Sequence, residues 1–168
     1  MTKIDKADIF LSVIESHKGI IYKIANSYCA DTEDRNDLVQ DIILRLWQVF
    51  EEYNDEFKYS TWIYRIAINV AISNYRREKV REKYFTSNSE PFFEIADFYN
   101  SLETERKYTL LRQFISELKE LDKALMLLYL EEKNYKEISE ILGISESNVG
   151  TKMGRIKNLL KEKFSKIN

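Results

Sequence analysis

Between residues 35 and 83 the apolar residues recur at intervals of three and four, a period that dictates helices and excludes alternating strands for this stretch. On a helical wheel Leu38, Val39, Ile42, Ile43, Leu46, Val49 and Phe50 fill one broad arc, wide enough to face a globular core. Asp37, Gln40, Asp41, Arg45 and Gln48 fill the rest, with Asp41 placed to pair with Arg45 four residues on. Leu44 falls in the middle of that polar face. A single exposed leucine is ordinary. This one stands among acids and amides beside Trp47, which is the composition of a protein-binding surface.

The companion helix is read from Ser60 onward, with Ser60 as its N-cap. Ile63, Ile66, Ala67, Val70 and Ala71 form its packing side, widened by Tyr64, Ile68 and Tyr75. Trp62, Arg65, Asn69, Ser73 and Arg76 line a narrow stripe opposite, and the helix leaves through Arg76, Arg77, Lys79, Arg81 and Lys83. Arginine, asparagine and serine bond to phosphates or base edges, and an indole stacks on a base. An ordinary solvated helix face can look the same. The preceding segment favours nucleic acid, because Tyr53, Asn54, Asp55, Glu56, Phe57, Lys58 and Tyr59 combine aromatics with turn formers.

The 168 residues suffice for one domain or two small ones, and 44% hydrophobic with 32% charged residues is the balance of a soluble globular protein. An uncharged apolar run long enough to span a bilayer is absent, as is a secretory signal pattern, so a cytoplasmic protein with no membrane insertion is expected. Cys29 has no second cysteine to pair with, and one Cys with one His makes no recurring zinc cluster. The formal net charge of -2 argues at first against DNA. The distribution of charge argues the other way: residues 152–166 hold six bases against Glu162 alone, and residues 65–83 hold six against Glu78 and Glu82. Two basic strips on an otherwise acidic chain suit phosphate at one place and protein at another.

In chain order, residues 8–29 read as a helix through Ile9, Val13, Ile20, Ile24 and Tyr28, widened by Phe10, Ile14, Ile21 and Ala25. His17 has no nucleophile or ligand partner nearby and reads as an ordinary boundary residue, Cys29 as a small buried hydrophobe. Residues 30–36 read as an acidic turn. Asp31, Glu33, Asp34, Asp37 and Asp41 can gather a divalent ion, but acids also favour the positive end of a helix, and no second carboxylate cluster converges on them. Residues 86–91, with the only proline, give the clearest linker, and the aromatic run 92–99 is expected to order against a partner. Helix resumes at Glu103 with Leu110, Leu111, Phe114, Ile115 and Leu118. Asp122 is the expected cap of a helix over 123–130 whose Leu125, Leu128 and Tyr129 pack inward.

The sharpest local signal is Y-K-E-I-S-E-I-L-G-I-S-E-S-N-V-G-T-K-M-G-R-I-K, starting at Tyr135. It gives a short helix to Leu142, a turn at Gly143 and a second helix capped by Ser145. Ile138 and Leu142 are set to meet Val149, Met153 and Ile156, the small core of a helix-turn-helix. Ser147, Asn148, Thr151, Lys152 and Arg155 are then left for a major groove. Gly150 and Gly154 weaken that helix and are candidates for close backbone approach. A hairpin used only for packing is the alternative.

With these segments in this order, the chain resembles a bacterial RNA polymerase sigma factor of the small extracytoplasmic-function group, over residues 10–165. D-L-V-Q-D-I-I-L-R-L-W resembles the family's core-polymerase-binding helix. F-K-Y-S-T-W-I-Y-R-I-A-I-N-V-A-I-S-N-Y-R-R resembles its promoter-melting and minus-ten segment, and the segment from Tyr135 its minus-thirty-five domain. The resemblance implies an all-α fold of two small helical domains joined by a linker, at 8–83, 84–102 and 103–168, the second a helix-turn-helix domain. It implies polymerase binding by Asp37, Gln40, Asp41, Leu44 and Trp47. It implies a base-capturing hinge with Asn54, Phe57, Lys58 and Tyr59, continued on the promoter by Trp62, Arg65, Asn69, Arg76 and Arg77. Lys152 and Arg155 would meet the upstream element. Ser73, Gly150 and Ser139 depart from residues common in the family and bear on DNA preference. The implied partners are core RNA polymerase, promoter DNA and an anti-sigma factor, with no cofactor and no enzymatic step. A stand-alone helix-turn-helix regulator accounts for the rear half but leaves Leu44 and the front basic helix without a task.

Overall fold

Thr2 and Asp5 close a capping box: the Asp5 N–H bonds to Thr2 Oγ1 at 3.3 Å, and the Thr2 N–H bonds back to the Asp5 carboxylate at 3.1 Å. In the computed structural model, which describes residues 2–82 and 102–167, this cap starts α1 (Lys3–Tyr28) well before position 8. Asp31 accepts the Glu33 and Asp34 N–H groups at 2.8 and 3.2 Å, so α2 (Thr32–Gln48) begins inside the stretch expected to be a turn. A single 3-10 turn (Phe50–Glu52) follows, then α3 (Tyr59–Glu82). Ser60 therefore lies within the first turn of α3 and is not its cap.

The chain divides into two units, Met1–Ser89 and Glu90–Asn168. In the first, α1, α2 and α3 pack against one another. Phe10, Val13, Ile21, Ile24 and Tyr28 of α1 meet Leu38, Val39, Ile42 and Leu46 of α2 and Ile63, Tyr64, Ala67, Ile68 and Ala71 of α3 in one buried core. Each fully buried Leu or Ile contributes roughly 1.5–3 kcal/mol. Ile9 turns out exposed, and Ile66 and Val70 are only half-buried, because the helix-helix contacts select a narrower arc than the apolar residues cover. Cys29 is buried beside the α1 terminus, and burial, with the Asp34 carboxylate next, pushes its thiol up to about 11.

The second unit holds α4 (Leu102–Ser116), α5 (Glu120–Leu130), α6 (Tyr135–Leu142) and α7 (Glu146–Ser165). Helix α5 touches the other three, and its residues from Lys123 to Leu128 are all buried, so it is the axis of the unit. It begins at Glu120 with Lys119 at the cap position and no side-chain bond there, so Asp122 is not its cap. Tyr129 faces outward and not into the core: its ring carries the Lys157 ammonium 4.4 Å from its centre. The linker expected at 84–102 and the aromatic run 92–99 lie outside the described residues, apart from Leu102, which opens α4.

Candidate functional site

The helix-turn-helix is built by three local devices. Asn134 and Glu137 form a capping box at the start of α6, with bonds of 2.9 and 2.8 Å. Gly143 ends α6 at φ 67°, ψ 33°, the left-handed region where a glycine is favoured. Ser145 Oγ accepts the Asn148 N–H at 3.1 Å and starts α7. Between the helices Ile138, Val149, Met153 and Ile156 are buried as expected; Ile141 joins them, and Leu142 is half-buried. Ser147, Asn148, Thr151 and Arg155 are exposed on α7, with Lys152 half-buried beside them. The Thr151 hydroxyl donates to the Ser147 carbonyl at 3.1 Å. Among the described residues nothing crowds the two glycines. A Cβ at Gly154 would meet nothing within 4 Å, and one at Gly150 only the Tyr135 ring at 3.6 Å.

Lys157, one of the six bases within residues 152–166, joins this surface. Its ammonium lies 4.4 Å from the Tyr129 ring centre, and the neighbouring Tyr129 hydroxyl, the largest cause, raises its pKa above the ordinary lysine value.

In the first unit the hinge between α2 and α3 is a closed aromatic structure. The Tyr53 hydroxyl donates to the Phe57 carbonyl at 2.7 Å, and the Tyr53 ring stacks on Tyr59 with centroids 4.2 Å apart. Trp62 meets Tyr53 edge-on at 5.4 Å, and the Arg65 guanidinium lies 5.2 Å from the Phe57 ring centre. Asp55 holds φ 58°, while Asn54 Oδ1 accepts the Glu56 N–H at 3.2 Å. The hinge thus brings Asn54, Phe57, Lys58, Tyr59, Trp62 and Arg65 together at the head of α3. Asn54 and Lys58 are exposed and the other four half-buried. Asn69, Arg76 and Arg77 continue outward along α3 and are exposed.

On α2, Asp37, Gln40, Asp41 and Leu44 are all exposed, Leu44 at 55%. Arg45 bonds to Gln48 at 3.4 Å and does not pair with Asp41. Trp47 is half-buried, edge-on to Phe10 at 5.1 Å, with the Lys6 ammonium 4.6 Å from its ring centre. Lys6 also pairs with Glu51 at 2.8 Å and holds that carboxyl below its usual range. Among the described residues no group of three or more His, Cys, Asp or Glu side chains is arranged to hold a metal ion, and Asp31 is engaged as a helix cap. No described helix is long and apolar enough to cross a membrane.

The fold is all-α, three packed helices in the first unit and a helix-turn-helix in the second. The Sigma-70 region 2 family profile matches residues 13–81 and the Sigma-70 region 4 profile residues 108–160. The RNA polymerase sigma factor YlaC of Bacillus subtilis is 30% identical over 139 residues, 80% of this chain and 79% of that protein. The ECF RNA polymerase sigma factor SigM of the same organism is 28% identical over 155 residues, 92% and 94% of the two chains. In fold, the chain is similar to the sigma factor RpoE of Bartonella quintana, solved with the anti-sigma factor NepR. The TM-score is 0.68 at 18% identity, with 96% of this chain and 97% of that one covered. The chain belongs to the extracytoplasmic-function group of RNA polymerase sigma factors. Its general function is that of the family, RNA polymerase binding and promoter recognition, and it is not an enzyme.

Proposed function

We propose that this sigma factor directs core polymerase to promoters with two recognition elements and stabilises the separated strands at the downstream one. The observation that carries this reading is the closed aromatic hinge at the head of α3. A stacked Tyr53–Tyr59 pair, edge-on Trp62 and exposed Asn54 offer ring faces and amide hydrogen bonds to bases taken out of the duplex. Unstacking costs a few kcal/mol per base, and stacking on an aromatic side chain returns about 1–3 kcal/mol. Asn54, Phe57, Lys58, Tyr59, Trp62, Arg65 and Asn69 form the minus-ten interface, and Arg76 and Arg77 hold adjacent phosphates. Ser147, Asn148, Thr151, Lys152 and Arg155 enter the major groove of the minus-thirty-five element. Asp37, Gln40, Asp41, Leu44 and Trp47 bind core polymerase. An anti-sigma factor, as in the RpoE–NepR complex, is the natural inhibitory partner.

The decisive experiment is transcription from a cognate promoter by sigma-free core polymerase with this protein added. Trp62→Ala or Asn69→Ala should reduce strand opening more than duplex capture. Lys152→Ala and Arg155→Ala should weaken upstream capture and flatten its salt dependence. Equal losses of capture and opening in all four variants defeat the division of labour. Leu44→Asp should weaken core-polymerase binding in a direct titration while leaving the helical content intact. Unchanged affinity refutes the placement on α2.

A further inference from the structure

The rings of the hinge are backed by further rings that stand behind them. Phe50 of the 3-10 turn, 7% exposed, lies against two: its ring is 17° from parallel to Tyr59 at 6.5 Å and tilted against Trp62 at 6.2 Å. Phe50 is held in turn by α1, where Phe10, 5% exposed, meets it edge-on at 5.2 Å. Seven residues on, about 10 Å along the same face of α1, the His17 ring lies 6.4 Å from Tyr59. The His17 Nδ1–H donates to the Val13 carbonyl at 2.8 Å, which fixes the orientation of that ring. The Lys6–Glu51 pair also ties α1 to the 3-10 turn, but with the Glu51 side chain 72% exposed it contributes little.

We propose that Phe10 and His17 of α1 are positioning residues for strand opening, holding the hinge rings in the arrangement that receives unstacked bases. The proposal rests on the part given to the hinge in opening. Three observations carry it. Aromatic pairs at these separations favour edge-on or offset geometries, so each ring in the series restricts the next. Phe10 and Phe50 are buried and cannot themselves stack on a base, so their effect on opening passes through Tyr59 and Trp62. Elsewhere α1 fills the core with Val13, Ile21, Ile24 and Ala25, and it places Phe10 and His17 where the hinge rings lie. A flipped base regains stacking only on a ring already standing where it arrives, and such a ring is held there by the packing behind it. His17, an ordinary boundary residue by sequence, thereby acquires a task.

The test compares preassembled holoenzymes on a promoter recovered by in vitro selection with the parent holoenzyme. Capture is the affinity for the closed duplex. Opening is the rate at which permanganate reactivity appears at saturating holoenzyme, a rate that core affinity does not enter. Phe10→Leu keeps an apolar side chain and removes the ring; His17→Ala removes a ring and His17→Phe restores one. Phe10→Leu and His17→Ala are expected to slow opening about three- to tenfold with capture within about twofold of the parent, and His17→Phe to recover most of the loss. In a Tyr59→Ala background, itself slow to open, each further loss should shrink below about twofold, because the ring being held is gone. Opening at the parent rate in Phe10→Leu and His17→Ala, with Tyr59→Ala slow, overturns the positioning role and leaves the hinge's part in opening standing. A parent rate in Tyr59→Ala as well overturns both. Capture and opening falling together, or losses that multiply in full with Tyr59→Ala, mark general packing damage and overturn the proposal. Should Phe10→Leu fail to fold by far-UV circular dichroism, the two variants at half-buried His17 decide by the same criteria.

Discussion

Replacing Gly154 by alanine should stabilise the second unit, and replacing Gly143 by alanine should destabilise it. Gly154 is exposed within α7, and an added Cβ meets nothing within 4 Å, so only backbone freedom is at stake. A helical glycine is about 0.8–1 kcal/mol worse than alanine, largely because its unfolded chain has more freedom to lose. Gly143 also has open space around it, but it holds φ 67°. The left-handed region costs an L-residue about 1–2 kcal/mol, against about 0.4–1 kcal/mol regained from a less free unfolded chain. The two variants should therefore move stability by about 1 kcal/mol in opposite directions. With a urea slope of about 1–3 kcal/mol/M, that is a midpoint shift of roughly 0.3–1 M each way. Far-UV circular dichroism of the full chain reads both units, whereas the only two tryptophans, Trp47 and Trp62, lie in the first. Tryptophan fluorescence is thus the internal control and should not move. A lowered midpoint for Gly154→Ala, or an unchanged one for Gly143→Ala, refutes the reasoning.

Tyr53→Phe keeps the stack on Tyr59 but removes the 2.7 Å bond to the Phe57 carbonyl, so it should cost about 0.5–1.5 kcal/mol of hinge order and slow strand opening without altering duplex capture. Permanganate footprinting on the cognate promoter reads the first and gel retardation the second; an unchanged opening rate discards the closed hinge as the working form. Cys29 should react slowly with a thiol reagent at pH 8 and accelerate as the pH approaches about 11, because burial disfavours the thiolate. In denaturant at pH 8 it should react at the rate of an ordinary cysteine, and fast native modification contradicts the burial. Asn134→Ala opens the capping box of α6 and should lower the stability of the second unit by about 1 kcal/mol, measured by the same urea titration.

Local chemistry was enough for what depends on neighbours in the chain. The limits of α6, the left-handed Gly143 and the Ser145 cap are each written within a few residues, because caps and tight turns are satisfied by atoms three or four positions away. The exposure of Leu44 and the burial of Ile42 and Leu46 likewise follow from helical period alone. Period does not say how wide the covered arc is. Ile9, Ile66, Val70 and Tyr129 sit beside true core positions yet are not fully buried. The groove between Leu11 and Leu44 was illegible for a related reason. It is an apolar groove lined by Ala7, Phe10 and Leu11 of α1 and Gln40, Ile43, Leu44 and Trp47 of α2, and only the packing of α1 on α2 puts exposed Leu11 on the same surface as Leu44. The closed hinge needed tertiary structure as well, since the Tyr53–Tyr59 stack depends on the angle at which α3 leaves the turn that starts at Phe50. Sequence therefore determined which faces are apolar and where helices stop, through interactions a turn apart; the packing of helices decided which of those faces meet, through contacts between residues far apart in the chain.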